Sequence, residues 1–156
     1  SGKSAGKIFF RFKKIYSEKS FPDPIDLLKT KHVTLKAVGL SSPKINYIRN
    51  VAQSFIKNKN KYLKLNELSD SQIIEELTKI KGVGPWTVQM FLMFTLNRLD
   101  VFPTGDLALR KGFQFYFKLD DLPTEKEMAI RAERWKPYRT YMSLYLWKFL
   151  EGPFEW

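Results

Sequence analysis

The segment from Pro85 to Asn97 limits the fold more than any other part of the chain. Trp86, Val88, Met90, Phe91, Leu92, Met93, Phe94 and Leu96 leave it almost no polar face, and a helix apolar nearly all round has to be wrapped by other elements. Pro85 suits the first turn of a helix, where a missing N–H costs nothing. The spacing therefore predicts a central buried helix over 85–97. Its surroundings also read as helical. Ala5, Ile8, Phe9, Phe12, Ile15 and Tyr16 form one stripe over 3–19, although Ser1-Gly2 offers no convincing N-cap. Short helices are expected over 25–28 and 34–38, the second ending at Gly39 in the position of a left-handed cap. Ser42-Pro43 opens a longer helix that the polar run 57–61 closes. Ser69 with Gln72 and Thr124 with Glu127 have capping-box spacing. They predict a helix after Ser69 that stops at Gly82, and another over 124–135. The stretches 106–117 and 138–150 complete the set. No alternating strand, internal repeat or long linker is found, so the expectation is an all-α fold, a single compact domain over 1–156.

Composition narrows the chemistry. The chain has 156 residues, no Cys and one His. That excludes thiolate zinc, iron–sulfur clusters and Cys nucleophiles, and argues against histidine metal centres and Ser-His-Asp catalysis. His32 is expected to be an ordinary residue. The longest apolar run, 90–94, is far short of the roughly 18 residues of a membrane span, and no signal-peptide pattern opens the chain. With 27 Lys+Arg against 16 Asp+Glu the net charge is +11. Such a charge favours a polyanionic partner, nucleic acid above all, though a Lys-rich surface also serves solubility alone.

The sharpest local feature is Leu77-Thr-Lys-Ile-Lys-Gly-Val-Gly-Pro-Trp-Thr-Val88. Two helices meet at Gly82-Val83-Gly84, where glycines permit a sharp turn and a close approach of phosphate to the main chain. Backbone amides at the start of the second helix are orphan donors at its positive end, and Lys79 and Lys81 flank them. An ordinary helix–turn–helix connection would explain the same residues. Twenty-two residues beyond Gly84, Asp106 follows a Pro-Thr-Gly break. There the helix dipole favours a carboxylate, and a plain capping acid would fit equally well.

Taken together, Ile80-Lys-Gly-Val-Gly-Pro-Trp-Thr, Asp100-Val-Phe-Pro-Thr-Gly-Asp106-Leu and Ala132-Glu-Arg-Trp-Lys-Pro-Tyr-Arg-Thr-Tyr141 resemble the helix-hairpin-helix-GPD DNA glycosylases, and more narrowly their alkylpurine (3-methyladenine II) branch. The resemblance covers nearly the whole chain, in order. It implies that Asp106 is the essential aspartate, stabilising an oxocarbenium-like sugar as the base leaves and helping to orient or deprotonate water. Trp86 stands where the glycosylase/lyase relatives carry a Schiff-base lysine. The resemblance therefore implies a monofunctional enzyme that releases alkylated purines of the 3-methyladenine and 7-methylguanine type and leaves the abasic site intact. Trp86, Met90, Leu107 and Trp147 match positions that line the base pocket, with an indole suited to a cationic base; core packing is the plain alternative for both tryptophans. Some relatives have aromatic residues at Met90 and Leu107, so a different base preference is expected here.

By the same resemblance the hairpin at Gly82, Val83 and Gly84 holds a phosphate. Lys44, Lys79, Lys81, Arg110 and Lys111 are candidate DNA contacts. The main-chain carbonyls of Thr78, Ile80 and Val83 would hold a monovalent cation, Na+ or K+, and no other cofactor is required. The implied partner is double-stranded DNA with damaged bases, met as a monomer without a membrane. The implied place is intracellular: the cytoplasm or nucleoid of a bacterium, or the nucleus of a eukaryote. The family has upstream helices ending in a Gln-rich segment that wedges into the gap left by a flipped nucleotide. Ser1-Gly-Lys-Ser-Ala5 resembles its continuation, so a chain N-terminally truncated relative to the family is expected. Two other functions stay open: a non-catalytic helix-hairpin-helix DNA-binding module, and a glycosylase for uracil, mismatched thymine or oxidised purines. Trp86 and the lack of an iron–sulfur cluster disfavour the last.

Overall fold

The computed structural model describes residues 2–19 and 21–151. Among the described residues ten helices follow one another: α1 (Gly2–Ile15), α2 (Pro24–Lys29), α3 (His32–Ala37), α4 (Ser42–Lys57), α5 (Lys59–Tyr62), α6 (Asp70–Leu77), α7 (Pro85–Phe94), α8 (Leu107–Phe117), α9 (Glu125–Ala132) and α10 (Arg139–Glu151). Single 3-10 turns occupy Leu65–Glu67 and Glu133–Trp135. No strand occurs among the described residues, as the all-α expectation requires. Ser1, whose capping ability the sequence put in question, lies outside the described residues. The helices form two compact units, Ser1–Val83 and Gly84–Trp156.

In the first unit Leu27, Leu35, Ile45 and Ala52 form the core, with Phe12, Ile15, Leu28, Leu40 and Ile48 packed against it. Leu35 and Ile45 are wholly buried, which stabilises by about 1.5–3 kcal/mol for each side chain. Gly39 ends α3 with φ +105°, the left-handed conformation its position implied. At α6 the capping box forms in full: Gln72 N donates to Ser69 Oγ, and Ser69 N donates to Gln72 Oε1. Several expectations shift. Helix α1 ends at Ile15, short of residue 19, and α6 ends at Leu77, five residues before Gly82. Helix α3 starts at His32, two residues early. The run 57–61 does not simply close α4: Asn58 breaks it and α5 follows. Tyr62 is buried there, its ring 4.6 Å from Phe55 and its hydroxyl 2.7 Å from Ser54 Oγ. One tyrosine among lysines is enough to anchor a turn, which no periodic pattern reveals.

In the second unit α8 lies against α10. The contact runs through Gly112, where a Cβ would stand 2.2 Å from the Leu146 carbonyl oxygen. Leu109, Phe113, Met128, Ala132 and Leu146 are wholly buried, and Phe102, Phe113, Phe117 and Trp135 form an aromatic cluster with centroids 4.6–6.2 Å apart. Helix α9 opens on the Thr124–Glu127 box, but the helix expected over 124–135 gives way to a 3-10 turn at Glu133. Helix α10 begins at Arg139, one residue late.

The prediction for 85–97 needs correction. Helix α7 stops at Phe94, and Asn97 takes the left-handed conformation while Arg98 N–H donates to the Leu92 carbonyl. Only Val88, Leu92 and Met93 of the helix are buried; Trp86 is 51% and Phe94 45% exposed. Hydrophobicity counts apolar side chains without regard to what they face. Here one apolar side is left on the surface, at the residues that build the candidate site.

Candidate active site

Asp106 is carried by a strap, residues 98–105, fixed to the start of α10. Thr140 N–H donates to the Leu99 carbonyl at 2.9 Å, Thr140 Oγ1 donates to the Arg98 carbonyl at 2.7 Å, and Val101 N–H returns a bond to Thr140 Oγ1 at 3.0 Å. Ser143 Oγ donates to the Val101 carbonyl at 3.2 Å. Arg139 grips Asp100 with two donors, Nε to Oδ1 at 2.7 Å and Nη2 to Oδ2 at 2.9 Å. The guanidinium holds the Asp100 carboxyl below its ordinary range, and the carboxylate in turn raises Arg139. Beyond the strap, Asp106 N–H donates to the Pro103 carbonyl and Thr104 Oγ1 donates to Glu125. The turn delivers Asp106 as the N-cap of α8.

Three donors converge on the carboxylate. Oδ1 accepts from the Leu109 backbone N–H at 2.6 Å and from Trp147 Nε1 at 2.9 Å; Oδ2 accepts from Trp86 Nε1 at 2.7 Å. Asp106 is thus a helix cap, as its position permitted, and also the meeting point of two indoles. The tryptophans differ. Trp147 is 7% exposed and stacked on Phe94, centroids 6.4 Å apart at 24°, whereas Trp86 stands half out of the surface at the second position of α7. Met90, four residues on, shares its face and is half-buried, and Leu107 is exposed. The structure therefore brings Asp106, Trp86 and Trp147 into direct contact and puts Met90 and Leu107 on the elements that carry them. The arrangement offers a fixed negative charge beside an exposed aromatic ring, with no lysine at position 86. Such an arrangement can stabilise positive charge, and it has no amine at position 86 for covalent attack.

The hairpin residues divide between the units. Gly82, in the first, has φ +98°, and a Cβ there would lie 2.1 Å from Tyr47 Cδ1 on α4; glycine is required by both backbone and packing. Val83 N–H donates to the Ile80 carbonyl, and Asn50 Nδ2 donates to the Lys81 carbonyl at 2.9 Å. Gly84, the N-cap of α7, has φ −99° and open space where a Cβ would go. Neither strain nor packing asks for glycine there, although glycine is a favoured N-cap residue. Among the candidate phosphate contacts, Lys44, Lys81 and Lys111 are exposed. Lys79 is engaged with Glu76 at 3.0 Å, and Lys61 meets the same carboxylate at 2.6 Å; the two ammonium groups lower the Glu76 carboxyl. Arg110 gives Nε and Nη2 to the Pro123 carbonyl at 3.0 and 2.9 Å, so part of its fork braces the loop before α9. His32 is exposed, its Nε2 3.4 Å from Ser42 Oγ. No cluster of three or more His, Cys, Asp or Glu suited to a metal occurs among the described residues, and no described helix is long and apolar enough to cross a membrane.

Sequence reasoning missed the residues that position the acid: Asp100, Arg139, Thr140, Ser143 and Gly112. The first four pair across some forty residues, a separation with no local trace. Gly112 carried a faint signal, being a glycine inside an otherwise good helix.

The chain is similar to several known proteins. The chain is 38% identical over 147 residues to DNA-3-methyladenine glycosylase 1 of Schizosaccharomyces pombe, covering 94% of this chain and 64% of that protein. It is 34% identical over 131 residues to the putative DNA-3-methyladenine glycosylase YfjP of Bacillus subtilis, covering 84% of this chain and 46% of that protein. It therefore spans about half to two thirds of the length of these relatives. Among solved structures, the S. pombe 3-methyladenine DNA glycosylase Mag1 in complex with abasic DNA superposes with a TM-score of 0.86 at 36% identity, over 98% of this chain and 76% of that one. A family model described as HhH-GPD superfamily base excision DNA repair protein matches residues 1–137. The chain belongs to the HhH-GPD superfamily of base excision DNA repair proteins.

Proposed function

We propose that residues 1–156 work as a single domain of a monofunctional DNA glycosylase that releases alkylated purines from duplex DNA. The observation that carries this reading is the Asp106 carboxylate, held at the N-cap of α8 by two indole N–H groups and a backbone amide, with tryptophan and not lysine at position 86. A purine alkylated on a ring nitrogen carries a fixed positive charge and is already a good leaving group, so the enzyme need not supply a strong acid. What it must supply is a negative charge beside the sugar as that carbon becomes oxocarbenium-like, and a carboxylate can also take a proton from the attacking water. The damaged nucleotide has to leave the stack first, which costs a few kcal/mol and least for a damaged base. The half-exposed Trp86 ring suits a cationic base, with Met90 and Leu107 as aliphatic neighbours and Trp147 at the buried end.

The partner is double-stranded DNA. It is met by a monomer through the amides of Gly82, Val83 and Gly84 and through Lys44, Lys79, Lys81, Arg110 and Lys111, wherever the cell keeps its genome. Similarity to Mag1, solved with abasic DNA, supports this partner. A Na+ or K+ ion on the carbonyls of Thr78, Ile80 and Val83 belongs to the same proposal; the Ile80 oxygen, which accepts from Val83 N–H, keeps a second lone pair for it.

The test is a duplex with one 7-methylguanine, treated with the wild type and with Asp106→Asn. Base release by the wild type, a silent variant that still binds, and strand breakage only after added alkali are expected. Binding without release by either protein would instead leave a helix-hairpin-helix module. Affinity should fall with salt at a log–log slope of about −0.9 for each phosphate neutralised.

A further inference from the structure

We infer that the two oxygens of Asp106 have separate duties: Oδ1 is locked for position, while Oδ2 is the working oxygen and is capped in the free protein by Trp86, which yields when a nucleotide enters. This rests on the function proposed above and adds a division of labour between the tryptophans. A carboxylate accepts at two oxygens, each with two lone-pair sites. Both donors on Oδ1 are held by the fold: Leu109 N–H belongs to the first turn of α8, and the Trp147 ring is buried against Phe94. The donor on Oδ2 is the Trp86 indole, which is 51% exposed and has room to rotate. A sugar or water that approaches the carboxylate at Oδ2 competes there with the indole N–H.

The two tryptophans then have different tasks. Trp147 has almost no surface to offer a base, so it acts through Asp106 as a positioning residue. Trp86 holds two states, closed on Oδ2 or turned away, and the fraction of open protein scales the apparent affinity for a flipped nucleotide. A hydrogen bond to a charged acceptor at a half-exposed site puts the closed state in excess by about three- to tenfold.

The experiment uses a duplex with a tetrahydrofuran abasic analogue, which has no base to stack, and reads binding by fluorescence anisotropy. Trp86→Phe, which keeps a ring and removes the N–H, should bind this duplex about three- to tenfold more tightly than the wild type. Equal or weaker binding would overturn the latch. Trp147→Phe should bind the duplex as the wild type does while its maximal rate of 7-methylguanine release falls at unchanged half-saturation. A rise in half-saturation at unchanged rate would return Trp147 to the role of a base wall. Indole N–H resonances of the 15N-labelled wild type give a readout that needs no variant fold. On adding the analogue, the Trp86 signal should move towards its position in Asp106→Asn and the Trp147 signal should stay. A static Trp86 signal in a complex that anisotropy shows to be formed refutes the latch alone. No complex at all removes the proposed function and the latch together.

Discussion

Replacing Gly112 by alanine tests whether the placement of Asp106 depends on how closely α8 and α10 approach. The added Cβ would lie 2.2 Å from the Leu146 carbonyl oxygen, 2.8 Å from its carbon and 3.3 Å from its Cα. All three are backbone atoms, so no rotamer change relieves the contact and the helices must part by about 1 Å to restore ordinary separation. Overpacking of this kind costs roughly 1–3 kcal/mol, and a backbone clash belongs near the top of that range. Alanine returns about 1 kcal/mol of helix propensity, leaving a net loss of about 2 kcal/mol. Trp147 follows Leu146 directly, so the same displacement stretches its 2.9 Å bond to Asp106 beyond hydrogen-bond range. A misplacement of this size lowers catalytic rate by about a hundredfold. The assay pairs the urea midpoint with single-turnover release of 7-methylguanine. Gly6→Ala in α1, where nothing lies within 4 Å of the new Cβ, is the control and should gain about 0.5–1 kcal/mol. If Gly112→Ala gains stability as Gly6→Ala does, or loses stability at an unaltered rate, the coupling of helix spacing to the acid is refuted.

Further outcomes separate packing from binding at the hairpin. Gly82→Ala meets both a positive φ and the Tyr47 ring, and should lose about 2–3 kcal/mol in urea unfolding. Gly84→Ala should lose no more than about 1 kcal/mol, the cost of a poorer N-cap residue, yet bind duplex DNA at least about tenfold more weakly, as anisotropy would show; unchanged binding would remove Gly84 from the interface. The Asp100–Arg139 pair predicts a pH signature. Because Arg139 lowers the Asp100 carboxyl in the folded state, the stabilisation is fully present above the ordinary carboxylate range and is lost as pH falls through the lowered value. The stability difference between wild type and Asp100→Asn should therefore stay level from neutral pH to about pH 5 and shrink below about pH 4. A gap that widens with acid would refute the pairing.

Much of this molecule was legible before any coordinates. Ser69 with Gln72 and Thr124 with Glu127 forecast their caps because a capping box is a local device, complete within four residues. Pro85 marked the start of α7 for the same reason. The motif around Asp106 was legible through resemblance, but the residues alone left it between cap and catalyst, and the structure gives it the cap while bringing both indoles to it. Burial of α7 was misjudged because Trp86 and Phe94 have the hydrophobicity of core residues and the exposure of surface ones. The strap was invisible: Thr140 with Arg98, and Arg139 with Asp100, are joined only after the chain has folded back on itself. Gly82 and Gly84 looked alike in sequence, yet one is required by Tyr47 and its own backbone and the other by neither.

Asp106 begins a helix and, on the proposed mechanism, also faces the reaction, so these tasks share one carboxylate. An amide at this position can still satisfy the Leu109 N–H, while a methyl group cannot. Loss of chemistry and loss of folding are thus separable in the laboratory by choosing asparagine over alanine. In a natural population the same sharing narrows the routes open to the gene: a lineage that abandons repair chemistry can drift to asparagine and keep an intact DNA-binding scaffold, whereas most other changes at this codon would fray the first turn of α8 as well.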